Sequence, residues 1–175
     1  AASTPAAEAA PLHGKLSRPG LSIVYVLDSS GSMRRDRKLS IAIEMIKASL
    51  GQLGPDVRFQ IVTYDSQASA MRLGGSYELV QAIPAQKAEA RLALDQLHGE
   101  GSSKHFEGLR RGIGLHPDIL ILITDADEMS GKEIKSLKEW NHRGTTIHAV
   151  LLDGDARPGS PSLRDLTGPT RLYRV

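Results

Sequence analysis

Cysteine is absent from the 175 residues, which excludes disulfides, thiolate metal sites and a cysteine nucleophile. The compartment stays open, because a cysteine-free domain suits oxidising and reducing surroundings alike. Aromatic residues make up only 4% and are scattered, which argues against a stacking platform for single-stranded nucleic acid. Tyr25, Phe59, Phe106 and Trp140 are expected to be packing residues. Charge of one sign is missing too: 22 basic against 20 acidic side chains leave +2, too little to imply a nucleic-acid partner. No apolar run reaches the roughly 18 to 20 residues of a membrane-spanning helix. What remains is an ordinary balance, 40% hydrophobic and 24% charged, in a chain long enough for one core.

Residues 1–19 hold six Ala and three Pro without apolar periodicity and read as a flexible linker. Residues 20–175 read as one domain. The sequence starts at Ala1 with no initiator Met and no basic-then-apolar leader, so a piece of a longer protein is expected, its targeting signals elsewhere.

Leu21 to Leu27 (LSIVYVL) is nearly all apolar, the pattern of a strand covered on both faces. After the turn DSSGSM, the residues Leu39, Ala42, Ile43, Ile46, Leu50 and Leu53 recur at helical spacing, closed by Gly51, Gly54 and Pro55. Val57 to Tyr64 alternates as a strand, Ala68 to Leu73 is a short strand at the sheet edge, and 85–98 is a helix. Past the loop GEGSS, a helix aligns Phe106, Leu109 and Ile113, and Asp118 to Thr124 (DILILIT) is the most apolar strand. A helix over 131–142, a strand from Thr145 to Leu152, a short helix near 163 and a strand from Arg171 to Arg174 complete the series. Alternation of this kind implies an α/β, doubly wound, Rossmann-like three-layer fold. Its sheet is expected to be mainly parallel and six-stranded, with one antiparallel edge strand.

Ligands of such sheets bind outside the carboxyl ends of the strands where the winding reverses. Two of those ends finish in aspartate, Asp28 opening DSSGS and Asp125 opening DADE. Carboxylates launched from neighbouring strands converge on one volume, where a cation or a proton must offset their repulsion. Ser30 and Ser32 add hydroxyls, and Ser102 and Ser103 can supply another. Hard oxygen ligands suit Mg²⁺, Mn²⁺ or Ca²⁺, and a set with only two carboxylates leaves the ion electrophilic towards a partner's Asp or Glu.

VYVLDSSGSM resembles the D-x-S-x-S signature of the metal-ion-dependent adhesion site in von Willebrand factor A domains. GSSKHFEGL resembles the family loop that usually reads G-G-T, and ILITDADE its strand ending in T-D. The likeness spans about residues 21–175 and is that of a short bacterial-type member. It implies a von Willebrand factor A-like fold with Ser30 and Ser32 as direct metal ligands. Asp28, Asp125 and Ser103 would bind the ion directly or through water. It further implies a non-catalytic adhesion or assembly module gripping an acidic side chain of a partner protein.

Three departures stand out. Ser103 replaces Thr and loses the methyl that restricts χ1. Asp127 adds a carboxylate where the family often has Gly. The sequence ends at Val175, directly after its last expected strand, so a terminal helix that signals metal occupancy is not expected within it.

Arg34, Arg35, Arg37 and Lys38 are expected to form a solvated face, with Asp36 as a cap. His105 and His148 lack partners at metal-ligand spacing and are left out of the site. Gly31 is expected to allow a tight loop at the metal. One competing reading is a Mg²⁺-dependent phosphatase or phosphotransferase of haloacid-dehalogenase type with Asp28 as nucleophile, although the second acid of that class is Ser30 here. Another is a structural domain that keeps the motif without its function. A monomer is expected, without membrane contact in this segment, and an extracytoplasmic part of a membrane-anchored or secreted longer protein is compatible with the sequence.

Overall fold

A computed structural model describes residues 18–126, 128–152, 162–168 and 171–175. Strand β1 (Ser22–Asp28) is buried along its whole length, as an unbroken apolar run requires. Successive side chains point to opposite faces, so β1 feeds two hydrophobic layers. Ile23, Tyr25 and Leu27 pack with Leu39, Ile43, Ile46 and Leu50 of helix α1 (Lys38–Gln52). Val24 and Val26 share the other layer with Leu109 and Ile113 of one helix and Ile134 and Leu137 of another.

Between β1 and α1, over Gly31–Arg37, lie short 3₁₀ turns interrupted by a kink where Arg35 and Asp36 leave helical backbone. Strand β2 (Arg58–Tyr64) pairs in parallel with β1, and the short strands β3 (Ala68–Ala70) and β4 (Val80–Gln81) pair antiparallel with β2. Helix α2 (Pro84–Asp95) carries proline in its first turn, where no N–H is needed. Helices α3 (His105–Gly114) and α4 (Gly131–Trp140) flank β5 (Ile119–Thr124) in the sequence. Strand β6 (Thr146–Leu151), helix α5 (Ser162–Thr167) and strand β7 (Leu172–Arg174) follow.

The described strands form a seven-stranded sheet in the order β3-β2-β1-β5-β6-β7, with β4 also on β2. The expected mainly parallel, helix-covered architecture is the observed one. Two short antiparallel strands replace the single one expected, because the two residues of β4 are too few to carry a periodic signal. The expected linker lies almost wholly outside the described residues, as does Asp127.

The topology positions the site. From β1 the chain winds to β2 on one side, then returns to lay β5 on the other, so the winding reverses between β1 and β5. The amino ends of these two strands are tied together by Asp118, which accepts hydrogen bonds from the Ser22 amide at 2.8 Å and the Ser22 hydroxyl at 2.7 Å. That hydroxyl holds the Asp118 carboxyl below its usual range. Leu27 then lies opposite Ile123, so Asp28 and Thr124 leave the sheet side by side.

Helix α3 approaches the sheet closely through two glycines. A methyl group at Gly112 would meet Val26 Cγ2 at 2.6 Å and Leu120 Cδ1 at 2.8 Å, and one at Gly108 would meet the Tyr64 ring at 2.4 Å.

Candidate metal centre

At the carboxyl ends of β1 and β5, four of the five sequence-predicted residues touch in a chain of oxygens. The Ser103 hydroxyl donates to Ser30 Oγ at 2.7 Å, Ser30 Oγ and Ser32 Oγ are 3.1 Å apart, and the Ser32 hydroxyl donates to Asp125 Oδ1 at 2.9 Å. Asp28, the fifth, joins through the Ser30 amide, which donates to Asp28 Oδ1 at 2.9 Å. Asp28 and Ser30 are buried, Ser103 half-buried and Ser32 exposed, so the cluster opens to solvent on one side.

Backbone contacts build this cluster from three loops. The Gly31 amide donates to the Gly101 carbonyl at 3.1 Å and the Glu100 amide to the Ser29 carbonyl at 2.9 Å, fastening the GEGSS loop to DSSGS. A β-carbon at Gly31 would stand 3.4 Å from the Gly101 carbonyl oxygen, an ordinary contact, so the expected need for glycine at this position is not what sets the approach. Gly101 itself takes φ +71°, a conformation side chains disfavour. The Ser29 amide reaches across to the Tyr64 carbonyl at 2.8 Å.

Three residues that sequence reasoning left out take part. Thr124, at the end of β5, donates its hydroxyl to Asp28 Oδ2 at 2.7 Å. His105 is buried, with Nδ1 3.9 Å from Asp28 Oδ2 and 2.8 Å from the Tyr64 hydroxyl. Burial first, then the charge of Asp28, pushes the Tyr64 phenol well above its usual range, so it stays a neutral hydrogen-bonding group. Lys38 donates to Asp125 Oδ2 at 3.1 Å, with side chains only 20% and 5% exposed respectively. The motif spacing could not reveal these partners, because each reaches the site across the fold. Position alone marked Thr124, which directly precedes Asp125.

The basic cluster therefore divides. Arg34, Arg35 and Arg37 are exposed as expected, whereas Lys38 turns into the site. Asp36 does not cap α1: the cap position falls on Arg37, which makes no side-chain cap bond, and both residues adopt left-handed backbone at φ 53° and 58°. Trp140, expected to be a packing residue, is 46% exposed and packs against the Arg110 guanidinium, whose carbon lies 5.3 Å from the ring centre. His148 is buried in β6 and stacks on Tyr173.

The donor set can be tested against the ion the sequence implies. Ligands around octahedral Mg²⁺, each about 2.0 to 2.1 Å from the metal, stand about 2.9 Å from their neighbours. The successive oxygen separations of 2.7, 3.1 and 2.9 Å are ordinary hydrogen-bond lengths, and they put the oxygens close enough together to share one ion of that size. Among the described residues no three His, Cys, Asp or Glu cluster as a metal site, so an ion bound here would draw on hydroxyls as well as on Asp28 and Asp125. Such a set fits a hard divalent cation and not zinc or copper.

No protein-family model matches the chain. The chain is 32% identical over 146 residues to the uncharacterized protein YfbK of Escherichia coli, an alignment covering 74% of this chain and 24% of that protein. It thus spans about a quarter of that relative's length. Among solved structures it is similar to a von Willebrand factor type A protein from Catenulispora acidiphila, with TM-score 0.74 and 22% identity over 89% of this chain and 38% of the other. It is also similar to the pilus adhesin SpaC from Lactobacillus rhamnosus GG, with TM-score 0.66 and 16% identity over 90% of this chain and 29% of the other.

Proposed function

Since the chain has the von Willebrand factor A fold, we propose that it is a divalent-metal-dependent protein-binding module, an adhesion or assembly element of a longer protein. Asp28, Ser30, Ser32, Ser103 and Asp125 would hold Mg²⁺, Mn²⁺ or Ca²⁺, and the ion would supply an electrophilic position for an Asp or Glu carboxylate of the partner. The observation that carries the reading is the convergence of three hydroxyls and one carboxylate from three separate loops, open to solvent at Ser32.

The residues around the ion have separable tasks. Thr124 and the Ser30 amide hold the two oxygens of Asp28, so that carboxylate keeps one orientation. Ser32 orients Asp125. The exposed edge admits the partner's carboxylate. The hydroxyls add no charge of their own, so only Asp28 and Asp125 offset the ion, and Lys38 beside Asp125 weakens that offset.

The competing phosphotransferase reading is disfavoured by Ser30, which stands where that class carries its second acid. An extracytoplasmic setting accords with the pilus adhesin among the structural neighbours. No described helix is long and apolar enough to cross a membrane.

Affinity capture of partners on the immobilised domain, in Mg²⁺ and again in EDTA, tests the proposal. Retention of a protein in Mg²⁺ that EDTA releases, and that Ser103→Ala abolishes, is the expected result. Turnover of a generic phosphate ester that disappears in Asp28→Ala would overturn it.

A further inference from the structure

We propose that Lys38 sets the charge of the candidate metal site so that a divalent ion is held firmly only together with a carboxylate from outside the chain; this rests on the metal-site reading above.

The placement of Lys38 is specific. It is the first residue of α1, and its ammonium donates to Asp125 Oδ2 while Asp125 Oδ1 faces the Ser32 hydroxyl. The two residues before it, Asp36 and Arg37, both take left-handed backbone that non-glycine side chains disfavour. Two consecutive strained residues persist only where the surrounding structure holds them, and such strain gathers at functional sites. Here the pair directly precedes Lys38 at the start of α1.

The charges then decide the behaviour. Asp28 and Asp125 bring two negative charges and Lys38 returns one positive charge, leaving the described side chains of the cluster at a net −1 against an ion of +2. The uncancelled positive charge is matched by one carboxylate, the same group the proposed partner would bring. Lys38 has a second, opposing effect, since it steadies Asp125 through a hydrogen bond. That effect is the smaller one: Ser32 already orients the carboxylate, and repulsion between an ammonium and a nearby divalent ion in a partly desolvated site outweighs one hydrogen bond. Metal and carboxylate therefore bind as a coupled pair, each raising the affinity for the other by the same factor.

Binding of Mn²⁺, followed by the paramagnetic resonance signal of the free ion with and without acetate as the probe carboxylate, tests this. In the unmodified protein acetate should raise Mn²⁺ affinity by about tenfold, within the ordinary range of coupling between sites. Lys38→Met should bind Mn²⁺ about tenfold more tightly without acetate and respond to acetate by less than about twofold, because the ion then faces both carboxylates uncompensated. Lys38→Arg, which keeps the charge, should behave as the unmodified protein. A merely structural role for Lys38 predicts the opposite sign, weaker binding in Lys38→Met, and that result or an unchanged affinity overturns the inference while leaving the metal site standing. Absence of Mn²⁺ binding in both proteins, with circular dichroism showing them folded, overturns the metal-site reading and the inference with it.

Discussion

Asp28 shows how much of this site depends on the orientation of single side chains. Its carboxylate is completely buried, yet it sits between the Ser30 amide, the Thr124 hydroxyl and the His105 ring. Removing charge without changing shape, as in Asp28→Asn, replaces an acceptor by a donor facing one of these groups. Urea unfolding without metal should show a loss of about 1 to 3 kcal/mol, the usual cost of a buried group left without its partner. Tyr64→Phe removes the only hydroxyl bonded to His105 Nδ1 among the described contacts, and the same measurement should give a loss of about 1 to 2 kcal/mol. The five candidate ligands could be named from the sequence because their residue types and spacing follow strand ends and loops. Lys38, His105 and Thr124 could not, since their roles exist only as distances across the fold. His105 in particular has no partner at metal-ligand spacing in the sequence, because its partner Tyr64 lies 41 positions earlier.

Elements carry the site through their ends and their close approaches. Helix α3 lies against β1 and β2 where Gly108 and Gly112 leave room for Tyr64, Val26 and Leu120. Gly112→Ala should cost about 1 to 3 kcal/mol in chemical unfolding, because the new methyl overpacks a filled interior. Helix α4 starts with a capping box: the Glu133 amide donates to the Ser130 hydroxyl, and the Glu133 carboxylate accepts from the Ser130 amide at 2.7 Å. Bonds from Ser130 hold the Glu133 carboxyl below its ordinary value. A depressed folded-state pKa gives stability that is present above the unfolded value, about 4.3 for glutamate, and lost as pH falls through the folded one. The stability gap between the unmodified protein and Ser130→Ala should therefore be full at neutral pH and shrink below about pH 4, as read by unfolding at a series of pH values. Long apolar elements were legible because burial on both faces forces a continuous hydrophobic run. The two-residue β4 and the left-handed pair Asp36 and Arg37 were not, since pairing and strain imposed from outside the segment leave no periodic trace.

For the whole molecule, the order of strands turns a local motif into a site. Parallel pairing of β1 with β5 brings residues about a hundred positions apart to one edge, and reversal of the winding there leaves a crevice for the loops to line. The alternation of strands and helices made this architecture readable, while the metal and the partner depend on chemistry that composition alone does not fix. The most direct check of the account is the melting temperature in saturating Mg²⁺ against EDTA, for the unmodified protein and for Asp125→Asn. An ion at about a hundred times its dissociation constant adds about 2.7 kcal/mol to the native state. For a domain of this size that predicts a rise of about 5 to 10 °C in the unmodified protein and almost none in the variant. An unmoved melting temperature in the unmodified protein, or an equal rise in both, would contradict it.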